Sequence, residues 1–235
     1  MPITAGGDTR TKILDAAERL FAEFGFIGTT TRQISSVAGV NQGAIPHHFG
    51  TKEKLLREVY LRGVQPVHEE RRRRMEDLLS RGRPLKPEDV LRALIEPAFR
   101  ASSANETFRK LAGRISTDPT PQVQGMLREI YNENTVLTHR ALRAACPYLS
   151  ERELYWRLYC VYGVMLYIQA DTGKMRNLAG EDFDASDPEV AIRFVLPFVT
   201  AGMQAQPVDE PQEESCVRNS ADAEESIFDG TQVST

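Results

Sequence analysis

The sequence predicts an all-α fold, with a small N-terminal three-helix domain built around a helix-turn-helix and a larger α-helical domain behind it. Three observations predict it. Apolar residues recur at helical spacing along most of the chain, and no segment alternates apolar and polar residues as a half-buried strand does. Capping residues, glycines and prolines cut the first part into short helices and the later part into long ones. The divisions fall at residues 1–62, 63–206 and 207–235, with the helix-turn-helix over about 30–49.

The first helix starts near Thr9 and carries Ile13, Ala17, Leu20, Phe21 and Phe24 on one face until Gly25 ends it. Thr30 is a good N-cap for the next, and Gln33, three residues later, stands where a capping-box partner belongs. Ile34, Val37 and Ala38 share a face, Gly39 supplies the left-handed residue that stops the helix, and Val40 follows as its hydrophobic contact. Asn41 can cap a second short helix with Gln42, Gly43 and Ala44 in its first turn and Ile45 and Phe49 buried. Gly50 ends that helix, and Thr51 caps a third, with Glu53 and Lys54 close behind. Any one cap fits an ordinary helical hairpin. The whole succession fits a motif that places its second helix in the major groove of DNA.

These residues carry a family resemblance. Ile13-Leu14-Asp15-Ala16-Ala17, Leu20-Phe21, Phe24-Gly25-Phe26, Thr29-Thr30-Thr31, Ile34, Ala38-Gly39-Val40, Gly43-Ala44-Ile45, His48-Phe49 and Lys52-Glu53-Lys54-Leu55-Leu56 resemble the N-terminal domain of TetR-family bacterial transcriptional regulators. The likeness is specific over about residues 9–62. It implies a cytoplasmic, repressor-like homodimer that binds a double-stranded DNA operator and answers to a small-molecule effector held by the C-terminal domain. In that pattern residues 42–48 form the recognition helix and Lys52 contacts phosphate.

Residue chemistry agrees with those roles. Gln42 can pair bidentately with adenine, and small Gly43 and Ala44 allow close approach and contact with a thymine methyl. Thr30, Thr31, His47, His48 and Lys52 are of types that hold phosphate. Arg32, Asn41 and Thr51 complete the expected DNA-facing set. Pro46 departs from the family pattern. It removes a backbone donor and crowds the Gln42 carbonyl, so the second helix is expected to be short, distorted or late in starting.

The formal net charge of −4 is unusual for a DNA-binding chain, but residues 207–235 hold eight acids against Arg218. That tail contributes −7, leaving about +3 elsewhere, and its composition reads as disordered. Three separated cysteines, Cys146, Cys160 and Cys216, suggest no disulfide framework, and Cys160 is expected in the core. No apolar run is long enough to span a membrane. The four histidines lack metal-ligand spacing, and no catalytic or nucleotide-binding signature occurs, so no cofactor, metal or enzymatic activity is expected.

The remaining helices are expected over about 52–80, with a kink at Pro66, then 87–102, 105–117, 121–145, 150–177 and 187–204. Arg71 to Arg74, flanked by Glu69, Glu70, Glu76 and Asp77, read as an exposed face laced with ion pairs. The resemblance places an effector pocket on the apolar faces, where Phe99, Phe108, Leu111, Ile115, Met126, Ile130, Tyr131, Trp156, Tyr159 and Met165 are candidates. An apolar or aromatic effector of unknown identity suits them. The last two helices are the expected dimer interface, with Arg157, Gly163, Tyr167, Arg193, Phe194 and Phe198 suited to it.

Overall fold

The structure, a computed structural model, describes residues 5–170, 173–180 and 187–208. Most of the acidic tail, Cys216 included, lies outside the described residues. Those described form ten helices and no strand.

Helix α1 (Ala5–Gly28) is interrupted at Gly25, whose φ of 72° lies in the left-handed region open to glycine. Ile13, Ala17 and Phe21 are fully buried. Phe24, expected beside them, is 46% exposed. The helical path breaks immediately after it, and Phe26 instead fills the core at 6.3 Å from the Phe21 ring. Helix α2 (Thr31–Ala38) has the full reciprocal capping box between Thr30 and Gln33. It ends on Gly39 with both bonds of a Schellman motif, Gly39 N–H to the Ser36 carbonyl and Val40 N–H to the Ser35 carbonyl. So short a helix buries a narrow strip, Ile34, Ser35 and Ala38, which leaves Val37 half exposed rather than inward.

Helix α3 (Ala44–Phe49) starts later than Asn41 alone would suggest, as Pro46 requires. Pro46 is its third residue, inside the first turn, where a missing N–H breaks no intrahelical bond. The Asn41 side chain accepts from Gly43 N–H at 2.8 Å and shapes the turn instead of capping the helix directly. Helix α4 (Lys52–Ser80) is capped by Thr51 and continues as one element through Pro66, with Leu55, Leu56, Val59 and Tyr60 inward.

Helices α5 (Pro87–Ala104), α6 (Glu106–Ser116), α7 (Pro121–Ala145), α8 (Glu151–Ala170), α9 (Lys174–Ala179) and α10 (Pro188–Gln204) complete the fold. The expected helix over 150–177 is thus two, separated near Gly173, whose φ is 72°. Two apolar clusters form the interior. One joins the latter part of α4 to α5, α8, α10 and the end of α7. The other joins α1 to α3 and the start of α4 to Phe108, Leu111, Ile115, Val123, Met126 and Ile130 of α6 and α7. The N-terminal core therefore does not close at residue 62. It continues onto α6, which packs against α1.

Candidate nucleic-acid interface

The Schellman turn and the Asn41 turn set α2 and α3 at a fixed angle, while Ile34, Ala38, Ile45 and Phe49 anchor both to α1 and α4. One edge of this unit stays in solvent. Thr30, Thr31, Arg32, Asn41, Gln42, Gly43, His47 and Thr51 are exposed, and Ala44, His48 and Lys52 are half-buried. Gln42 and Gly43 stand in the turn just before α3, not in its first turn. The His47 and His48 rings meet edge-on at 4.9 Å.

Besides Asn41, three of the expected contact residues already have structural work. The Thr30 hydroxyl donates to the Gln33 side chain at 2.8 Å while accepting from Gln33 N–H. The Thr51 hydroxyl accepts from Lys54 N–H. Lys52, expected to reach phosphate, turns its ammonium back toward the end of α1. Its Nζ donates to the Phe26 carbonyl at 2.9 Å and the Thr29 carbonyl at 3.0 Å, and it lies 4.2 Å from the centre of the Phe26 ring. Lys52 is therefore a clamp between α4 and the α1–α2 junction, with one N–H left over for an outside acceptor. Beside it, Thr29 is fully buried and donates to the Gly25 carbonyl at 2.8 Å, closing the α1 kink. Nothing in local sequence distinguishes these carbonyl partners, because they are brought together only when α4 returns beside α1.

Glu53, in the first turn of α4, is held below the usual carboxylate range by its own backbone N–H and the Thr51 hydroxyl. Its negative charge thus stabilises the start of α4. Lys54 and Arg57, absent from the expected set, are exposed on the same opening turns of α4.

The effector candidates divide between the two core clusters and the surface. Phe99 and Met165 belong to one core cluster, and Phe108, Leu111, Ile115, Met126 and Ile130 to the other. Tyr131 lies between α7 and α4, its hydroxyl 2.8 Å from that of Tyr60. Only Phe108 and Tyr131 of the ten border the small, partly open cavity of 60 Å³ beneath α4. Trp156 and Tyr159 lie apart from the other candidates, 62% and 70% exposed on the outer face of α8. Leu154, Leu158, Val161 and Met165 take the inward face, which fixes these two outward.

That outer face coincides with the expected dimer surface. Trp156, Tyr159, Gly163 and Tyr167 on α8, with Arg193, Phe194 and Phe198 on α10, are exposed. Cys160 also lies there rather than in the core. A groove of 520 Å³ separates the two helices. Arg157 differs from its neighbours: it donates to Glu153 at 3.1 Å and to four carbonyls, from Gly202, Met203, Ala205 and Gln206, at 2.8–2.9 Å. It ties off the end of α10. In the arginine run, Arg73 and Arg74 pair with Glu70, as the flanking acids suggest, but Arg71 points inward and is only 7% exposed.

Comparisons with known proteins follow the same division. Residues 13–59 match the family model for bacterial regulatory proteins of the tetR family, and residues 92–202 match that for a tetracyclin repressor-like C-terminal domain. The transcriptional repressor AcnR of Corynebacterium efficiens is 50% identical over 48 residues, 20% of this chain and 26% of its own. The transcriptional regulator LmrA of Bacillus subtilis is 30% identical over 141 residues, 60% of this chain and 64% of its own. The chain spans only about a quarter to a third of the length of the first of the curated relatives it matches. Among solved structures, the fatty acid degradation regulator FadR from Bacillus halodurans superposes with a TM-score of 0.63 at 16% identity, covering 84% of this chain and 97% of that one. With its helix-turn-helix half and its C-terminal helical half both matched, the chain belongs to the TetR family of bacterial regulatory proteins.

Proposed function

We propose that the protein is a ligand-responsive DNA-binding transcriptional regulator, a repressor that holds a palindromic operator as a homodimer and is released by a small apolar or aromatic effector. The observation that carries this reading is the exposed edge of α2 and α3, closed by a complete Schellman turn and leaving Gln42 and His47 free of the core. The names of the family relatives support it. The aromatic outer face of α8 and α10 suits a second copy of the chain, since contiguous exposed apolar surface of this kind marks an interaction site. Dimerisation would set two α3 helices about 34–36 Å apart, one duplex turn.

Release follows from the packing of α4. Its first residue clamps the end of α1, Tyr60 bonds to Tyr131 of α7, and Gly63 lies directly under Phe108 of α6. A ligand that favours a different α6–α7 arrangement therefore shifts α4 and, through Lys52, the helix-turn-helix. It acts only to the extent that it binds the two arrangements unequally. A gel-shift assay with DNA flanking the protein's own gene tests the reading. A specific, salt-sensitive shift at nanomolar to micromolar protein is expected, and its absence, or equal binding to random DNA, overturns it.

A further inference from the structure

Arg71 is the one residue of the arginine run that turns into the protein. Its guanidinium is almost wholly buried, and Nε donates to the Leu94 carbonyl at 2.8 Å. The two terminal nitrogens find no acceptor, and no carboxylate pairs with Arg71 among the described residues. The groups near enough to influence its charge are three tyrosines, Tyr60, Tyr131 and Tyr162, and the imidazole of His68. His68 is held neutral at pH 7, its pKa lowered to about 4 by burial and by Arg71 itself, and its Nε2 is buried without a partner. A guanidinium taken this far out of water without a carboxylate beside it is costly, and proteins ordinarily answer it with an acid.

The missing acid has a place to come from. Arg71 borders the 60 Å³ cavity beneath α4, whose wall, among the described residues, includes Arg109, bonded to the Gln169 carbonyl at 2.9 Å, and no aspartate or glutamate. Beyond the arginines the wall is the small apolar side chains of Val64, Val67, Ala98, Ala101 and Ala112, together with Phe108, Tyr131 and Gln169. Sites for whole drug-sized ligands measure roughly 300–1,000 Å³. This cavity has room for an anionic head group, with an apolar body entering only as Phe108 and its neighbours part.

We propose that this cavity is an anion site in which Arg71 takes the carboxylate of an organic acid as a bidentate ion pair, while the alanine and valine wall receives the acid's apolar body. The proposal rests on the reading of this domain as effector-binding and narrows the effector to an organic acid. A planar fork matched to a carboxylate favours a carboxylic acid over a neutral or cationic ligand of the same shape. It also explains why Arg71 pairs with no carboxylate among the described residues: an acid in the chain would occupy the fork permanently.

Thermal unfolding of the full chain with sodium acetate and sodium benzoate tests this, with acetamide and benzamide as neutral counterparts and sodium sulfate and sodium chloride at matched ionic strength. The carboxylates are expected to raise Tm saturably by about 2 °C or more, which corresponds to ligand at a few times Kd or above, and the amides to leave it unchanged. Arg71→Met should abolish the carboxylate response while leaving the unliganded protein as stable or more so, because an unpaired buried charge is removed. Arg71→Lys, which keeps charge but not the fork, should weaken the response at least tenfold. Equal shifts from acids and amides, an equal shift from sulfate, or a full response in Arg71→Met overturns the proposal. The operator gel shift is scored separately. An intact shift with no carboxylate discrimination sinks the anion site alone, and a missing shift sinks the regulator reading alone.

Discussion

Replacing Lys52 by methionine keeps the apolar stem over Phe26 and removes three N–H donors. Two of those donors hold the Phe26 and Thr29 carbonyls at 2.9 and 3.0 Å. A hydrogen bond to a charged donor contributes about 1.5–3 kcal/mol net, and the half-exposure of Lys52 places each near the low end, since water reaches the carbonyls left behind. Loss of the ammonium over the ring removes about another 0.5–1 kcal/mol. The sum is about 3–4 kcal/mol, which for a chain of this size lowers Tm by about 6–16 °C. Urea unfolding at two salt concentrations measures it, and the loss should persist in high salt because the partners are carbonyls and not exposed ions. DNA binding separates the two roles of the residue. If the remaining N–H meets phosphate, the slope of log affinity against log salt drops by about 0.9. A variant as stable as the parent would refute the clamp, and an unchanged salt slope would refute the phosphate contact.

Other expectations are independent of that one. Gly63→Ala places a Cβ 2.2 Å from two Phe108 ring atoms, so it should destabilise by about 1–3 kcal/mol despite the helix propensity gained, and adding Phe108→Leu should recover part of the loss; a stabilised Gly63→Ala counts against the close α4–α6 approach. His68 has a folded pKa near 4, below its unfolded value of 6.5. Its neutral burial therefore stabilises fully above pH 6.5, and that contribution is lost as pH falls from 6.5 to 4. His68→Gln should flatten the stability profile across that window, as followed by urea unfolding, and a profile of unchanged slope disproves it. Gln42→Ala should lower operator affinity by about 1–3 kcal/mol and relax one base preference; equal losses on operator and random DNA would make Gln42 a positioning residue only.

The helix-turn-helix was legible because its signals are local. A capping box needs Thr30 and Gln33 three residues apart, and a Schellman turn needs a glycine followed by an apolar residue, so both can be read without knowing what the helices touch. Pro46 belongs to the same class. Its missing donor dictated a late start for α3, and the helix begins at Ala44. The effector residues were harder to read for the opposite reason. Helical periodicity identifies an apolar face but not the neighbour that covers it, and α8 carries aromatic residues on a face no other described helix covers. Trp156 and Tyr159 therefore read as inward-facing residues and are exposed on the outer face of α8.

By itself, then, the sequence determined most of the helices, the caps at Thr30 and Thr51, the turn between α2 and α3 and the chemical character of its exposed edge, because each depends on residues within one or two turns of one another. Only the tertiary structure decided where long side chains end. Lys52 looked free to leave the protein and instead reaches carbonyls 23 and 26 residues away. Arg71 looked like one of four solvated arginines and instead lies buried against the Leu94 carbonyl. A flexible charged side chain takes the partner that folding brings within reach, and which backbone returns to meet it is set by the packing of distant helices, not by neighbours in sequence.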